Sequence, residues 1–217
     1  MGVEVIAGIL VVVAIACVGG AAFLFFGESW LLQWLRGTAG LLLAGIALYL
    51  VLFAAGLFGY QQVRSDAPMA TISLERTGNQ VYMATVAEAN GDRRQFELRG
   101  DLWQLDVRLL RYAGLLSMFG GEPSFRLEKL SSRYITVEDE ETKDHSEYGL
   151  LPESFLGFDV WQRASDNGSW MVSASRSAVV LVPATDGAIY DLVLVDDKLT
   201  VSAANSAAEQ ALRRLAP

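Results

Sequence analysis

The side chains best suited to chemistry lie in one polar stretch, EDEETKDHSE at residues 138–147, where the sole histidine, His145, follows Glu138, Asp139, Glu140, Glu141 and Asp144. An imidazole near carboxylates suits proton transfer or, with a hydroxyl, nucleophilic catalysis. No serine stands in a nucleophile-elbow pattern, so spacing supports no Ser-His-Asp set. The five carboxylates offer the oxygen ligands that calcium takes, yet the run lacks the ligand order and central glycine of an EF-hand loop. One histidine excludes a histidine cluster, and the single cysteine, Cys17, lies in an apolar run, which leaves no Cys/His zinc site. The segment reads as a solvated acidic loop with an exposed histidine. There is no Walker-type loop, dinucleotide fingerprint or paired CxxC. The expectation is a chain that is not an enzyme and has no catalytic, cofactor-binding or metal-ligating residues.

The elements that would have to position these groups begin with two uncharged runs, residues 5–26 and 38–60, which are 22 and 23 residues long. At about 1.5 Å per residue, each helix reaches roughly 33 Å and can cross a hydrocarbon core of about 30 Å. Both should span a bilayer. Ala14-Ile15-Ala16-Cys17 loosely resembles a lipoprotein cleavage box, but no Lys or Arg occurs in the first seven residues and the run stays apolar beyond it. Cys17 therefore reads as an ordinary buried cysteine, and the run as an uncleaved span. No disulfide can form within one chain that has one cysteine.

Residues 27–37, GESWLLQWLRG, form a short connection, so the spans should make a tight antiparallel hairpin. Trp30 and Trp34, one helical turn apart, suit the membrane interface as anchors. Three pairs of small residues four apart, Ala16 with Gly20, Gly40 with Ala44, and Ala55 with Gly59, predict close helix packing within the hairpin or against a partner. Neither run carries a charge, so ion or proton transport through this chain alone lacks its usual apparatus. The N-terminus has Glu4 and no basic residue, whereas the connection has Arg36. This bias places the connection in the cytoplasm and the remainder of the chain outside, periplasmic in a bacterium.

The formal net charge is −8, of which about −7 belongs to residues 61–217. An acidic domain excludes nucleic acid as partner and an electrostatic grip on anionic lipid. The organisation is a transmembrane hairpin at 1–60, a proline-bearing juxtamembrane linker at 61–69, and an α+β domain at 70–217 dominated by antiparallel sheet. Residues 72–74, 80–86, 95–98 and 102–111 read as a four-strand meander with turns at Thr77-Gly78-Asn79 and Asn90-Gly91-Asp92. In the last strand Trp103, Leu105, Val107 and Leu109 alternate with Gln104, Asp106 and Arg108, which marks one buried face.

Residues 114–121 form a loop or helical turn, in which Leu115, Leu116, Met118 and Phe119 either pack on the sheet, the preferred reading, or contact membrane or ligand. Strands follow at 125–130 and 133–137, and 154–164 has helical spacing of Phe155, Phe158 and Trp161. Strands at 170–175 and 178–183 precede an Asp186-Gly187 turn and a hairpin of 189–195 with 199–202 across Asp196-Asp197-Lys198. A final helix opens with Ser206 and Glu209 at capping-box spacing, with Leu212 and Leu215 as its buried stripe.

The strings FELRGDLWQLDVRLLRY at 96–112, FRLEKLSSRYITVEDE at 125–140 and ATDGAIYDLVL at 184–194 resemble a family of small, uncharacterised proteobacterial membrane proteins with two spans. Its members are often labelled multidrug transporter or cation/multidrug efflux pump. The resemblance implies a Gram-negative inner membrane, with any transport role that of an accessory subunit. The expected partners are the lipid bilayer and either a membrane protein or further copies of this chain. A structural or interaction protein is the leading reading, and a membrane-proximal module for lipid or another apolar ligand is the alternative.

Overall fold

A computed structural model describes residues 3–25, 30–64, 66–118, 122–152, 159–167, 172–196 and 198–214. The chain is α+β: among the described residues it has two apolar helices, ten strands in two sheets, and a C-terminal helix among shorter ones. It divides into two compact units, and the division falls inside two of the strands. One unit comprises residues 1–60, 110–123 and 153–174, and the other 61–109, 124–152 and 175–217. A cut at residue 60 alone, which the end of the second apolar run suggests, misses the two later segments that join the first unit.

In the first unit, α1 (Val3–Phe25) and α2 (Trp30–Leu57) are long and apolar enough to cross a membrane. The connection is shorter than the sequence suggests, because residues 30–37 already belong to α2. Glu4 lies in the first turn of α1, where a carboxylate complements the helix dipole. Ile6, Ala7 and Leu10 bury against Phe53, Ala54, Leu57 and Tyr60, so the start of α1 packs beside the end of α2 and the pair is antiparallel. The same cluster includes Leu110, Val172 and, from α4 (Val160–Asn167), Val160, Trp161 and Ala164. Sequence spacing starts α4 earlier, at 154, but residues 153–158 lie outside the described residues.

The second unit contains two five-stranded sheets. One is antiparallel throughout, in the order β10-β9-β2-β3-β4, from β2 (Ala70–Gly78), β3 (Val81–Glu88), β4 (Arg93–Arg99), β9 (Ile189–Val195) and β10 (Lys198–Ala203). Strand β2 is flanked by β3, with Ile72 opposite Val86, and by β9, with Ala70 opposite Leu192. The other runs β1-β6-β5-β8, from β1 (Gln61–Gln62), β5 (Leu102–Tyr112), β6 (Ser124–Arg133) and β8 (Val172–Pro183), while β7 (Glu147–Gly149) also pairs with β6.

The meander thus has three strands, and the fourth, β5, joins the second sheet. Gly100 is the reason: a Cβ there would lie 2.7 Å from the Arg133 carbonyl oxygen. Only glycine lets the chain pass so close to β6. The Asp101 N–H then donates to the Arg133 carbonyl (2.9 Å), and β5 continues beside β6.

Alternating residues fill one core between the sheets: Ile72 and Leu74, Ala84 and Val86, Trp103, Leu105 and Val107, Phe125 and Leu127, Tyr190 and Leu192. Removing each large side chain from water contributes about 1.5–3 kcal/mol. Trp103 and Tyr190 meet as tilted rings with centroids 5.5 Å apart. Residues 172–183 form one strand, although Ser175 to Ser177 suggest a break, and β6 runs unbroken to Arg133 and stops there.

Two helices differ from expectation. Residues 137–142 form α3 (Val137–Thr142) inside the supposed acidic loop, because the Thr136 side chain caps the Asp139 N–H and three carboxylates occupy the first turn. The final helix α5 (Ser206–Arg213) is capped one residue before Ser206, by Asn205, whose side chain accepts from the Ala208 N–H. Its buried residues are Ala208 and Ala211. Leu212 is only half-buried, and Leu215 lies outside the described residues.

Candidate functional site

The acidic stretch with His145 is bound up in structure. His145 is exposed on the coil after α3. Asp139 pairs with Lys143 (2.9 Å), and Glu140 pairs with Arg133 (2.6 Å) while accepting the Tyr134 N–H (2.8 Å). Lys143 also donates to Gln80 Oε1 (2.8 Å), and Gln80 Nε2 donates to Asp101 Oδ1 (3.0 Å). The hydrogen bond from Lys143 holds the Asp139 carboxyl below its usual range, and the Tyr134 N–H, with Arg133, does the same for Glu140. These carboxylates tie α3 to the sheets. Among the described residues, no three His, Cys, Asp or Glu side chains gather as a metal site.

A second charged group crosses the sheet of β5, β6 and β8. Arg176 donates Nε to Glu128 Oε2 and Nη2 to Oε1, both at 2.8 Å, and Arg108 donates Nη2 to Oε1 at 3.0 Å. The Glu128 and Arg108 side chains are only 14% and 11% exposed. Burial pushes the Glu128 carboxyl up, but the two guanidiniums outweigh it and hold it below the ordinary glutamate value. In the sequence Arg108 is merely the polar partner in an alternation, and nothing there pairs it with Glu128, twenty residues on. Buried serines add a polar seam in which Ser132 donates to the Arg99 carbonyl (2.6 Å) and Ser146 to the Glu97 carbonyl (2.9 Å). Each of these groups has a protein partner, which suits holding strands together rather than binding a substrate.

What stands out instead is the surface of α1 and α2. Small side chains face inward at seven-residue intervals, Ala7, Ala14 and Ala21 on α1 and Gly40, Ala47 and Ala54 on α2, all buried. Leu10 lies on the α1 seam, and Leu57 on that of α2. A seven-residue repeat of this kind is the geometry of left-handed helix pairs.

Of the residues singled out by spacing of four, Gly40 is buried, Gly20 and Ala55 are half-buried, and Ala16, Ala44 and Gly59 are exposed. A stretch rich in glycine and alanine offers both periods, and the seam is distinguished by the partner helix rather than by the stretch itself.

Outside the cluster of Ile6, Leu10, Phe53 and Leu57, many large side chains point outward. Phe23 is 85% exposed, Leu41 71% and Val12 66%. Trp34 is exposed as well, while the Trp30 side chain lies outside the described residues. The Thr38 hydroxyl donates to the Trp34 carbonyl (2.9 Å), so this polar group is satisfied within its own helix.

At the end of the hairpin where α1 begins and α2 finishes, Asp159 caps α4 by accepting from the Trp161 N–H (2.9 Å) and the Gln162 N–H (3.2 Å). Helix α4 approaches α2 so closely that a Cβ on Gly56 would lie 2.4 Å from Val160 Cγ2. Gly56 was not among the spaced pairs, and only the partner helix reveals its role. Residues 114–118 form a 3₁₀ turn in this unit, with Met118 78% exposed rather than packed on a sheet. The Leu115 and Leu116 side chains and Phe119 lie outside the described residues.

Comparison with protein-family models, with curated proteins and with solved structures gave no match.

Proposed function

We propose that the chain is a membrane-anchored structural or interaction protein, working as an accessory subunit of a larger inner-membrane assembly, and that it is not an enzyme. The observation that carries this reading is the inverted hairpin, with small residues inside and Val, Leu, Ile and Phe outside over two uncharged stretches. In water such faces would forfeit roughly 25 cal/mol for every Å² of apolar surface left exposed. In a bilayer they meet acyl chains, and the backbone groups of the helix interiors are paired within the helices. The resemblance to proteobacterial two-span proteins supports a Gram-negative inner membrane. The basic-poor N-terminus and Arg36 support a cytoplasmic connection and a periplasmic β unit.

A pump needs buried charges or a pathway, and neither uncharged stretch contributes a charge. Lipid binding inside the β unit is the weaker reading, since Trp103, Phe125, Tyr190 and their neighbours occupy the space between the sheets. Purification of the native protein in mild detergent tests the proposal: a stoichiometric companion or a defined oligomer is expected, and a strict monomer without companion overturns it. A reporter fused after Pro217 tests the orientation and is expected to be active only in the periplasm.

A further inference from the structure

Residues 113–121, AGLLSMFGG, carry no charge and are bounded by Arg111 and Glu122. The structure turns them at Gly114, whose φ of 57° suits glycine, and closes the turn with the Ser117 hydroxyl donating to the Gly114 carbonyl at 2.7 Å. That bond leaves the Ser117 side chain satisfied without water. Met118 projects from the turn with 78% of its surface exposed, and the sequence adds Leu115, Leu116 and Phe119 to the same charge-free segment.

The position of the turn follows from what precedes it. Leu110 is buried, and Tyr112 packs, in the cluster made by Ile6, Ala7 and Leu10 of α1 and Phe53, Ala54 and Leu57 of α2. This is the end of the hairpin from which the chain leaves α2, and Phe58 there is exposed. Six residues separate Tyr112 from Met118, a reach of at most about 20 Å even when fully extended, and the 3₁₀ turn shortens it. The turn therefore sits close to the level at which the helices meet the membrane surface.

We propose that residues 114–118 insert into the headgroup and acyl boundary of the leaflet at which α1 begins and α2 ends, with Met118 as a lipid-contacting side chain. The proposal rests on the membrane reading of α1 and α2. It takes lipid as the occupant because Met118 is an exposed apolar side chain in the same unit as the hairpin, and the segment has no charge to orient a protein partner. Arg111 and Glu122 limit the depth by keeping both ends of the segment at headgroup level.

The test uses the full chain with Cys17→Ser, carrying single spin-labelled cysteines as Met118→Cys, Val12→Cys or Asn90→Cys, in vesicles of phosphatidylethanolamine and phosphatidylglycerol. Oxygen reports acyl chains and a soluble nickel chelate reports water. The Met118 label is expected to be relaxed strongly by oxygen and to be several-fold less accessible to nickel than the label at exposed Asn90. A Met118 label as open to nickel as that at Asn90, with the Val12 label in lipid, overturns the inference and leaves the anchor intact. A Met118 label shielded from both reagents means burial against protein and also overturns it. A Val12 label open to nickel overturns the membrane reading and the inference together.

Discussion

In the helical hairpin Ala14 and Ala47 are buried while Phe23 and Leu41 face outward; in the β unit Trp103, Phe125 and Tyr190 are buried while Arg99, Glu97 and Asn90 face outward. The same side-chain types are sorted in opposite directions within one chain. Burial in the β unit removes large apolar groups from water, so its core is wide and aromatic. Along most of the helix pair the contact gains from close approach instead, so it is thin and built from alanine and glycine, with Ile6, Leu10, Phe53 and Leu57 closing it at one end. The contrast shows that the two parts were shaped against different surroundings, and it can be tested by changing residues of matched type on either side.

The largest difference is expected from paired phenylalanine truncations. Phe125→Ala, in the β core, should cost about 3–5 kcal/mol, whereas Phe23→Ala, on the outer face of α1, should change stability by less than about 0.5 kcal/mol in detergent. Denaturant unfolding of the full chain, followed by near-ultraviolet circular dichroism, compares them, and equal costs would break the contrast.

Glu128→Gln should cost about 2–3 kcal/mol because it leaves nearly buried Arg108 beside a neutral amide. The Glu128 pKa is lowered by folding, so its contribution is complete above its unfolded value near 4.5 and is lost as the pH falls through the lower folded value. Between those two values the unfolding midpoint of the unmodified protein should therefore decline more steeply with falling pH than that of Glu128→Gln. Equal slopes would remove the pair from the account.

In the helical unit, Gly56→Val should cost about 1–3 kcal/mol by forcing α4 away from α2, and Val160→Ala in the same chain should restore part of it. Thermal unfolding in detergent reads both, and a lack of rescue would mean that the α2 and α4 contact does not limit stability. The smallest effect is expected from Asn205→Ala, about 1 kcal/mol from the lost cap on α5, measured by the same melt.

Much of this layout was legible in the sequence because it depends on local pattern. The absence of charge over 22 and 23 residues reveals the helices, and the alternation from Trp103 to Leu109 reveals a strand with its inner face. Alternation says nothing of which sheet receives the strand. That choice is made at Gly100, where a near contact with Arg133 turns β5 into the second sheet, and Arg133 is thirty-three residues away.

Helix α3 had a readable signal in Thr136 three residues before Asp139, with acidic side chains in the first turn, but its single apolar residue, Val137, makes no stripe and so concealed it. The seam of the hairpin is also written in the sequence, since Ala7, Ala14 and Ala21 keep a strict interval, and a period of seven rather than four carries the contact. The Arg108, Glu128 and Arg176 group was beyond reach, because it depends on three strands meeting in one register.

The pairing of β2 with both β3 and β9 also has a consequence for synthesis. Ala70 pairs with Leu192, so the inner strand of the first sheet has one bare edge until residue 192 has been synthesised. On the membrane reading proposed above, the hairpin of α1 and α2, complete by residue 57, enters the bilayer long before that. Insertion should precede folding, and a product arrested before residue 189 would present an unpaired β2 edge and tend to aggregate.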